Sequence, residues 1–109
     1  MKDTTITMVK GDTLAFTVSI ANLTQDLNSA YFSCKSSPED TTYVFQKSLG
    51  SGISKVETGK YRVRVAPADT ESAEVGTYYY DLQLGLGDDI YTVKRGKLKI
   101  EYEITTPED

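Results

Sequence analysis

Apolar and polar residues alternate along most of the chain with a period of two, rather than the period of about 3.6 that marks a helix. The clearest case is the segment 14–20, where Leu14, Phe16, Val18 and Ile20 alternate with small or polar residues. Because successive side chains of a strand point to opposite faces, each such segment predicts a strand with one buried face. The pattern predicts an all-β chain.

Seven or eight strands are predicted in this way, separated by turn-forming residues. Their inward rows are predicted to be Ile6 and Met8; Leu14 to Ile20; Ala30, Phe32 and Cys34; Tyr61, Val63 and Val65; and Tyr78, Tyr80, Leu82 and Leu84. The segment 42–48 is ambiguous, because either Tyr43, Phe45 and Lys47 or Val44 and Gln46 face inward. A short strand is also expected at 53–57. Strands of this number and spacing are typical of an antiparallel β-sandwich, here a single domain over residues 1–109 with a flexible tail at 105–109.

The last predicted strand has two alternative registers. Tyr91 and Val93 occupy odd positions, whereas the apolar residues after Gly96 occupy even ones. A one-residue bulge at Gly96 would bring both sets to the core face. Without a bulge, Ile90 and Thr92 face inward and Tyr91 faces outward.

Two local motifs precede the strand that begins near Gly76. The acidic link 68–75 either forms one helical turn, with Asp69 or Thr70 as its N-cap, or stays irregular. Directly after it, the segment from Glu74 to Tyr78 matches the acidic-x-Gly-x-Tyr pattern of immunoglobulin-like domains, in which the Tyr hydroxyl bonds back to the preceding corner. An immunoglobulin-like sandwich is therefore expected, without the buried Trp and paired Cys of antibody domains.

Composition narrows the classes of partner. The 109 residues carry a net charge of −4, which argues against nucleic acid, because phosphate binding depends on clustered Lys and Arg. The sequence shows neither a signal peptide nor an apolar run of about 20 residues. We therefore expect no membrane contact, and we expect the chain to be made and folded in the cytoplasm. The single cysteine, Cys34, lies on a predicted inward row and is expected to be a buried thiol.

Catalytic and metal-binding patterns are hard to find in this composition. The chain has no histidine, so a nucleophile–histidine pair is excluded and zinc lacks its usual ligands. The adjacent Asp88 and Asp89 either contact Ca²⁺ or form a solvated hairpin turn. The remaining carboxylates lie on turns and outward positions. We expect no enzyme, no cofactor and no bound metal.

Tyrosine, which occurs eight times, points to an interaction surface, since its apolar ring and polar tip suit interfaces. The outward residues of three strands expected to be neighbours supply the candidates Tyr31, Lys35, Tyr79, Asp81 and Gln83, with Tyr91 nearby if the last strand has no bulge. The alternative is that these side chains only stabilise cross-strand pairs. A basic stripe formed by Lys60, Arg62 and Arg64 is either a solvated face or a docking surface for an acidic subunit.

Several segments together resemble a domain of phage and prophage tail proteins. They are Gly11-Asp-Thr-Leu-Ala-Phe-Thr-Val18, Gly76-Thr-Tyr-Tyr-Tyr-Asp-Leu-Gln-Leu84, the Gly/Asp turn, Tyr91-Thr-Val93, Arg95 to Leu98 and Glu103-Ile-Thr105. The resemblance is to the N-terminal immunoglobulin-like domain of baseplate upper proteins of the BppU type. It spans residues 11 to 105.

The resemblance implies a non-enzymatic structural or assembly part of a phage tail or baseplate. Its expected partners are other tail or baseplate proteins and further copies of itself, in a virion component assembled in the bacterial cytoplasm. Baseplate members of the family continue into coiled-coil and trimerising segments, so a host-binding head is not expected within these 109 residues. The alternative function on the same fold is a carbohydrate-binding or adhesion module, with Tyr31 and Tyr79 as its aromatic platform.

Overall fold

The chain forms eight strands and one helical turn in a computed structural model that describes residues 5–21 and 25–102. The elements are β1 (Ile6–Val9), β2 (Leu14–Ser19), β3 (Ser29–Lys35), β4 (Phe45–Leu49), β5 (Gly52–Glu57), β6 (Lys60–Val65), α1 (Pro67–Thr70), β7 (Gly76–Leu86) and β8 (Asp89–Glu101). The expected flexibility of the tail 105–109 concerns residues outside the described ranges.

The strands follow the order β1-β8-β7-β3-β4-β5-β6-β2 in one continuous hydrogen-bonded sheet, which folds over into two layers. The layers face each other, because Phe16 of β2 packs edge-on against Phe32 of β3 with ring centroids 5.4 Å apart, although β2 and β3 are far apart in the strand order. One layer contains β1, β8, β7, β3 and β4, and the other contains β5, β6 and β2.

Two short parallel pairings depart from the antiparallel arrangement that the sequence predicts. β1 pairs with the end of β8, and β4 pairs with β5 through only two residue pairs, Ser48 with Gly52 and Leu49 with Ile53. The chain crosses from one layer to the other between β4 and β5. Gly50 and Gly52 adopt φ values of 90° and 101°, which residues with a Cβ rarely adopt. The crossing therefore depends on these two glycines.

The core lies between the layers and consists of the inward rows that the alternation predicts. Phe32 is fully buried at its centre, where it contacts Phe16, Phe45 and Tyr80 at centroid distances of 5.4 to 5.9 Å. The other fully or nearly buried apolar residues are Met8, Leu27, Ala30, Cys34, Ile53, Tyr61, Val63, Val65, Leu82, Leu84, Leu98 and Ile100. The predicted rows of β1, β3, β6 and β7 are confirmed, and β2 contributes half-buried residues from the edge of its layer.

Burial of Cys34 has a chemical consequence. The thiol is fully buried in β3, and desolvation raises its pKa from 9.0 to about 12. The thiolate is the reactive form of cysteine, so this side chain is a small core residue rather than a nucleophile.

The corner before β7 forms as the acidic-x-Gly-x-Tyr motif predicts. The Tyr78 hydroxyl donates a hydrogen bond of 2.5 Å to the carbonyl oxygen of Glu74. This bond ties the start of β7 to the preceding link. Partial burial and the nearby Glu74 charge raise the pKa of Tyr78.

Two details of the sequence prediction are wrong, namely the N-cap of the helical turn and the position of the bulge, and the ambiguity at 42–48 is resolved with Phe45 and Lys47 inward. The helical turn exists, but Ala66 is its N-cap, and Asp69 is the third residue of the turn, where its carboxylate accepts the Ala66 N–H at 2.7 Å. In β4, Phe45 is buried and Lys47 half-buried, whereas Tyr43 lies before the strand and is exposed. The extra residue of β8 is Val93 rather than Gly96, because Leu82 pairs with Lys94 and Gln83 with Thr92.

Polar contacts join segments that are distant in sequence. The Leu27 N–H donates a buried hydrogen bond of 3.1 Å to the Tyr61 hydroxyl, which ties the entry to β3 to β6 in the other layer. Lys47 of β4 forms an ion pair of 2.9 Å with Asp69 of α1. Because Leu27 lies two residues before β3 and Lys47 lies in β4, both contacts help to position the layer that carries the interface candidates.

Candidate protein-interaction face

Alternation in β3 and β7 decides which side chains reach the outer surface of the larger layer. Ala30, Phe32 and Cys34 of β3 fill the core, so the intervening residues of that strand point outward. The same holds in β7, where Tyr80, Leu82 and Leu84 are buried. We call the resulting surface the front face. Its residues are Gln46, Ser48, Tyr31, Ser33, Lys35, Tyr79, Asp81, Gln83, Thr92, Arg95 and Lys97, with Tyr43 at its border.

Strand pairing arranges the front face in three rows that run across the sheet. One row contains Lys35, Tyr79 and Lys97. The next contains Gln46, Ser33, Asp81 and Arg95. The third contains Ser48, Tyr31, Gln83 and Thr92. Charge is concentrated in the first two rows, whereas the third is neutral.

Five of the six interface candidates are brought together on this face: Tyr31, Lys35, Tyr79, Asp81 and Gln83. Tyr31 and Tyr79 expose 42% and 37% of their surface, enough to contact a partner directly. The sixth candidate, Tyr91, is not part of the face. The bulge at Val93 shifts the register of β8, so that Tyr91 pairs with the buried Leu84 and points away from Gln83.

Tyr43, Arg95 and Lys97 belong to the face but were not among the predicted site residues. Tyr43 reaches it because the β3–β4 connection folds back, placing the Lys35 ammonium 5.0 Å from the centre of the Tyr43 ring. Arg95 and Lys97 reach it because they pair with Asp81 and Tyr79. The alternation of β8 around Leu98 indicates that Lys97 points outward. It does not show that Lys97 pairs with Tyr79, because that pairing depends on where the bulge lies.

Asp81 lies near the centre of the face, half-buried between Ser33 and Arg95 in the pairing register. Desolvation raises the pKa of the Asp81 carboxyl, and the Lys35 charge and a hydrogen bond with Gln83 oppose part of that effect. The face carries three cations against this one carboxylate, while the chain as a whole has a net charge of −4. The front face is therefore positive on an acidic protein.

Its shape is a broad depression of about 1000 Å³ that is open to solvent. Tyr31, Tyr43 and Tyr79 line it together with the charged residues, and the Gln46 amide donates a hydrogen bond of 2.9 Å to the Ser33 hydroxyl within it. Such a surface offers aromatic contact area, hydrogen-bonding groups and cations.

The other candidate sites that the sequence suggested lie outside the front face. Arg62 and Arg64 of the basic stripe are exposed on the outer side of β6 in the smaller layer, and Lys60 pairs with Glu57. Asp88 lies in the two-residue turn between β7 and β8, and Asp89 is the first residue of β8, where it pairs with Leu86. Within residues 5–21 and 25–102, no three His, Cys, Asp or Glu side chains come together as metal ligands. None of the described helices is long and apolar enough to cross a membrane.

Neither a protein-family model nor a curated protein matches the sequence, but solved structures match the fold. A strand-swapped dimer of the immunoglobulin-like domain of mouse leukocyte-associated immunoglobulin-like receptor 1 matches with a TM-score of 0.55 at 14% identity, over 88% of this chain and 86% of that chain. The NK cell receptor Nkp44 matches with a TM-score of 0.54 at 14% identity, over 94% and 100% of the two chains.

Two further matches bear on how widely the fold is used. Parallel homodimers of the voltage-gated sodium channel β4 subunit match with a TM-score of 0.51 at 14% identity, over 95% of each chain. A protein from Bacteroides vulgatus, provisionally assigned as a glycoside hydrolase, matches with a TM-score of 0.52 at 11% identity, over 90% of this chain but 16% of that chain. The chain is an immunoglobulin-like β-sandwich, which confirms the predicted fold class.

Proposed function

We propose that this domain is a non-enzymatic interaction module that binds a partner protein through the front face. The observation that supports this most is the clustering of Tyr31, Tyr43 and Tyr79 with three cations around one depression. Aromatic residues and Arg are enriched in interfaces, where they supply contact area and directional hydrogen bonds. A face needed only for solubility has no requirement for three tyrosines in this arrangement.

Self-association is proposed to use a different surface. Two copies placed front face to front face would bring Lys35, Arg95 and Lys97 of each copy together, and like charges oppose such contact. The hairpin between β7 and β8 is better suited, because Ile90 and Tyr91 are 64% and 51% exposed there. The homodimers seen for the mouse receptor and the channel β4 subunit support self-association as a property of comparable sandwiches.

For biological setting, we propose assembly into a phage or prophage tail or baseplate. The support is the motif resemblance to baseplate upper proteins, carried by Gly76–Leu84 and by Gly11–Val18. In a symmetric particle, many copies of a small interface add their affinities, so each front face can be individually weak. The cytoplasm of the infected bacterium would be the place of assembly.

Site-specific photocrosslinking tests the proposed interface. A benzoylphenylalanine residue replaces Tyr79 on the front face or, as the control, Thr17 on the outer side of β2. Each variant is co-expressed with the products of the reading frames that flank its gene. A crosslink from position 79 to a tail protein, with none from position 17, is the expected result. Equal crosslinking from both positions, or none from position 79, would reject the front face as an interface.

The depression also favours carbohydrate binding as a second candidate function. Tyr31 and Tyr79 on one face can present rings to a sugar, although the chain has no Trp to serve as a platform. A glycan array distinguishes the two functions. Binding to a defined glycan that is lost in Tyr79→Ala would establish the carbohydrate module, and an array without signal leaves protein binding as the function.

A further inference from the structure

We infer that the partner of the front face is an acidic protein segment, with carboxylates on either side of an apolar side chain. This inference rests on the proposed function and names the chemistry of the partner. Its basis is the row formed by Lys35, Tyr79 and Lys97, in which two cations flank one exposed aromatic ring.

The spacing of the row defines what it can hold. Lys35 and Lys97 lie on β3 and β8, which are separated by one strand, so their backbones are about 10 Å apart. In an extended partner segment that crosses the strands, residues i and i+4 are about 13 Å apart and share a face. Long, flexible lysine and glutamate side chains span the remaining difference. The residue at i+2 then lies over the Tyr79 ring.

The two lysines of the row have different surroundings, and this difference makes their contacts with the partner unequal. The Lys35 ammonium stays over the Tyr43 ring, 5.0 Å from its centre, and faces the half-buried Asp81 charge. Lys97 is exposed on β8. A partner carboxylate beside Lys35 also meets Asp81, which repels it, so the Lys97 end is the stronger contact.

The overall charge favours acidic protein over nucleic acid. A positive patch with a central carboxylate on a chain of net charge −4 attracts separated carboxylates at short range. A continuous phosphate backbone would bring one negative charge per nucleotide past Asp81 and the acidic remainder of the chain. Discrete carboxylates avoid that repulsion.

A synthetic peptide containing Glu-Ser-Leu-Ser-Glu, flanked by Ser and Gly, serves as the probe. It is titrated into the isotope-labelled 109-residue chain while amide chemical shifts are recorded by NMR. Shifts are expected at Lys35, Tyr79 and Lys97 on the front face. Binding should weaken as NaCl is raised from about 50 to 300 mM, since the Debye length falls below the span of the row.

Substitutions and a matched control complete the test. The double variant Lys35→Gln and Lys97→Gln is expected to weaken peptide binding about 2- to 30-fold, the range for two exposed ion pairs. Arg62→Gln with Arg64→Gln removes the same charge from the other layer and should leave binding unchanged. Circular dichroism verifies that both variants are folded.

Four outcomes would overturn the inference: no shifts at millimolar peptide, equal binding of a peptide with Gln in place of both Glu, insensitivity to the lysine substitutions, or tighter binding of a single-stranded oligonucleotide to the same face. The proposed function is judged separately. If one of these outcomes is observed while the position 79 crosslink to a protein partner still forms, the front face remains the interface and only the acidic chemistry is wrong.

Discussion

The hydrogen bond between Leu27 and Tyr61 provides a sharp test of how the two layers are held together. Tyr61 is 2% exposed on β6, and its hydroxyl accepts the Leu27 N–H across 3.1 Å. Leu27 is itself buried, so water cannot readily replace the hydroxyl. Tyr61→Phe removes the acceptor while keeping the ring.

The expected cost follows from leaving a buried amide without a partner. Such a loss destabilises a protein by about 1–3 kcal/mol, whereas an ordinary exchange of one hydrogen bond for water costs about 0.5–1.5 kcal/mol. Tyr78→Phe is the matched comparison, because the Tyr78 hydroxyl bonds the Glu74 carbonyl at an exposed site. Tyr61→Phe should therefore be the more damaging of two chemically identical substitutions.

Urea unfolding followed by circular dichroism measures the two free energies. For a domain of this size, each kcal/mol corresponds to about 4 °C in Tm, so Tyr61→Phe should lower Tm by about 4–12 °C. Amide exchange at Leu27 should also accelerate in Tyr61→Phe and stay unchanged in Tyr78→Phe. If Tyr61→Phe costs less than Tyr78→Phe, or if Leu27 exchange does not change, the bond does not connect the layers as described.

Three further predictions concern titratable groups. The Cys34 thiol, with its pKa of about 12, should not react with Ellman's reagent at about pH 8 until the protein unfolds. The pKa of Cys34 is higher in the folded protein than the unfolded value of 9.0, so the contribution of the protonated thiol to stability is complete below pH 9 and is lost as pH rises toward 12. In urea unfolding at several pH values, the free energy of unfolding should therefore fall less steeply above pH 9 for Cys34→Ala than for the native chain. Because burial raises the pKa of Asp81, ionisation of this group opposes folding. Asp81→Asn should be at least as stable as the native chain at pH 7. The difference in free energy of unfolding should vanish at about pH 2.5, where the Asp81 carboxyl is protonated in the folded and the unfolded chain. Greater stability of the native chain at pH 7 would contradict this. Asp69 both pairs with Lys47 and accepts the Ala66 N–H, so thermal unfolding should show a larger loss for Asp69→Ala than for Lys47→Met, by about 0.5–2 kcal/mol; equal losses would mean that the bond to Ala66 contributes nothing.

Much of the fold was predictable because burial follows local alternation. The inward rows of β3, β6 and β7 were identified from period-two patterning alone, since the face of a side chain depends on its position within its own strand. The Tyr78 corner was predictable for a related reason, because donor and acceptor are only four residues apart. Local geometry suffices for such features.

The candidate site was only partly predictable. Five of its residues were identified as outward side chains, but Tyr43 and the pairing of Lys97 with Tyr79 were not. The register of β8 depends on where its extra residue lies, and both Gly96 and Val93 are compatible with the alternation. The pairing of β8 with β7 places the extra residue at Val93, so that Arg95 faces outward beside Asp81. A bulge at either position turns Tyr91 away from the front face, because Tyr91 then pairs with the inward Leu84.

By itself, the amino-acid sequence determined that the chain is a β-sandwich, which inward rows of β3, β6 and β7 fill its core, and that the chain has no histidine for catalysis. Only the tertiary structure decided that Lys35, Tyr79 and Lys97 form one row across the sheet. It also decided that Tyr31, Tyr43 and Tyr79 border the depression on the front face. The physical reason is the separation in sequence between the residues that determine each feature. Alternation is a property of neighbouring residues. A row across a sheet joins strands up to about 60 residues apart, and the pairing of those strands depends on the folding of the whole chain.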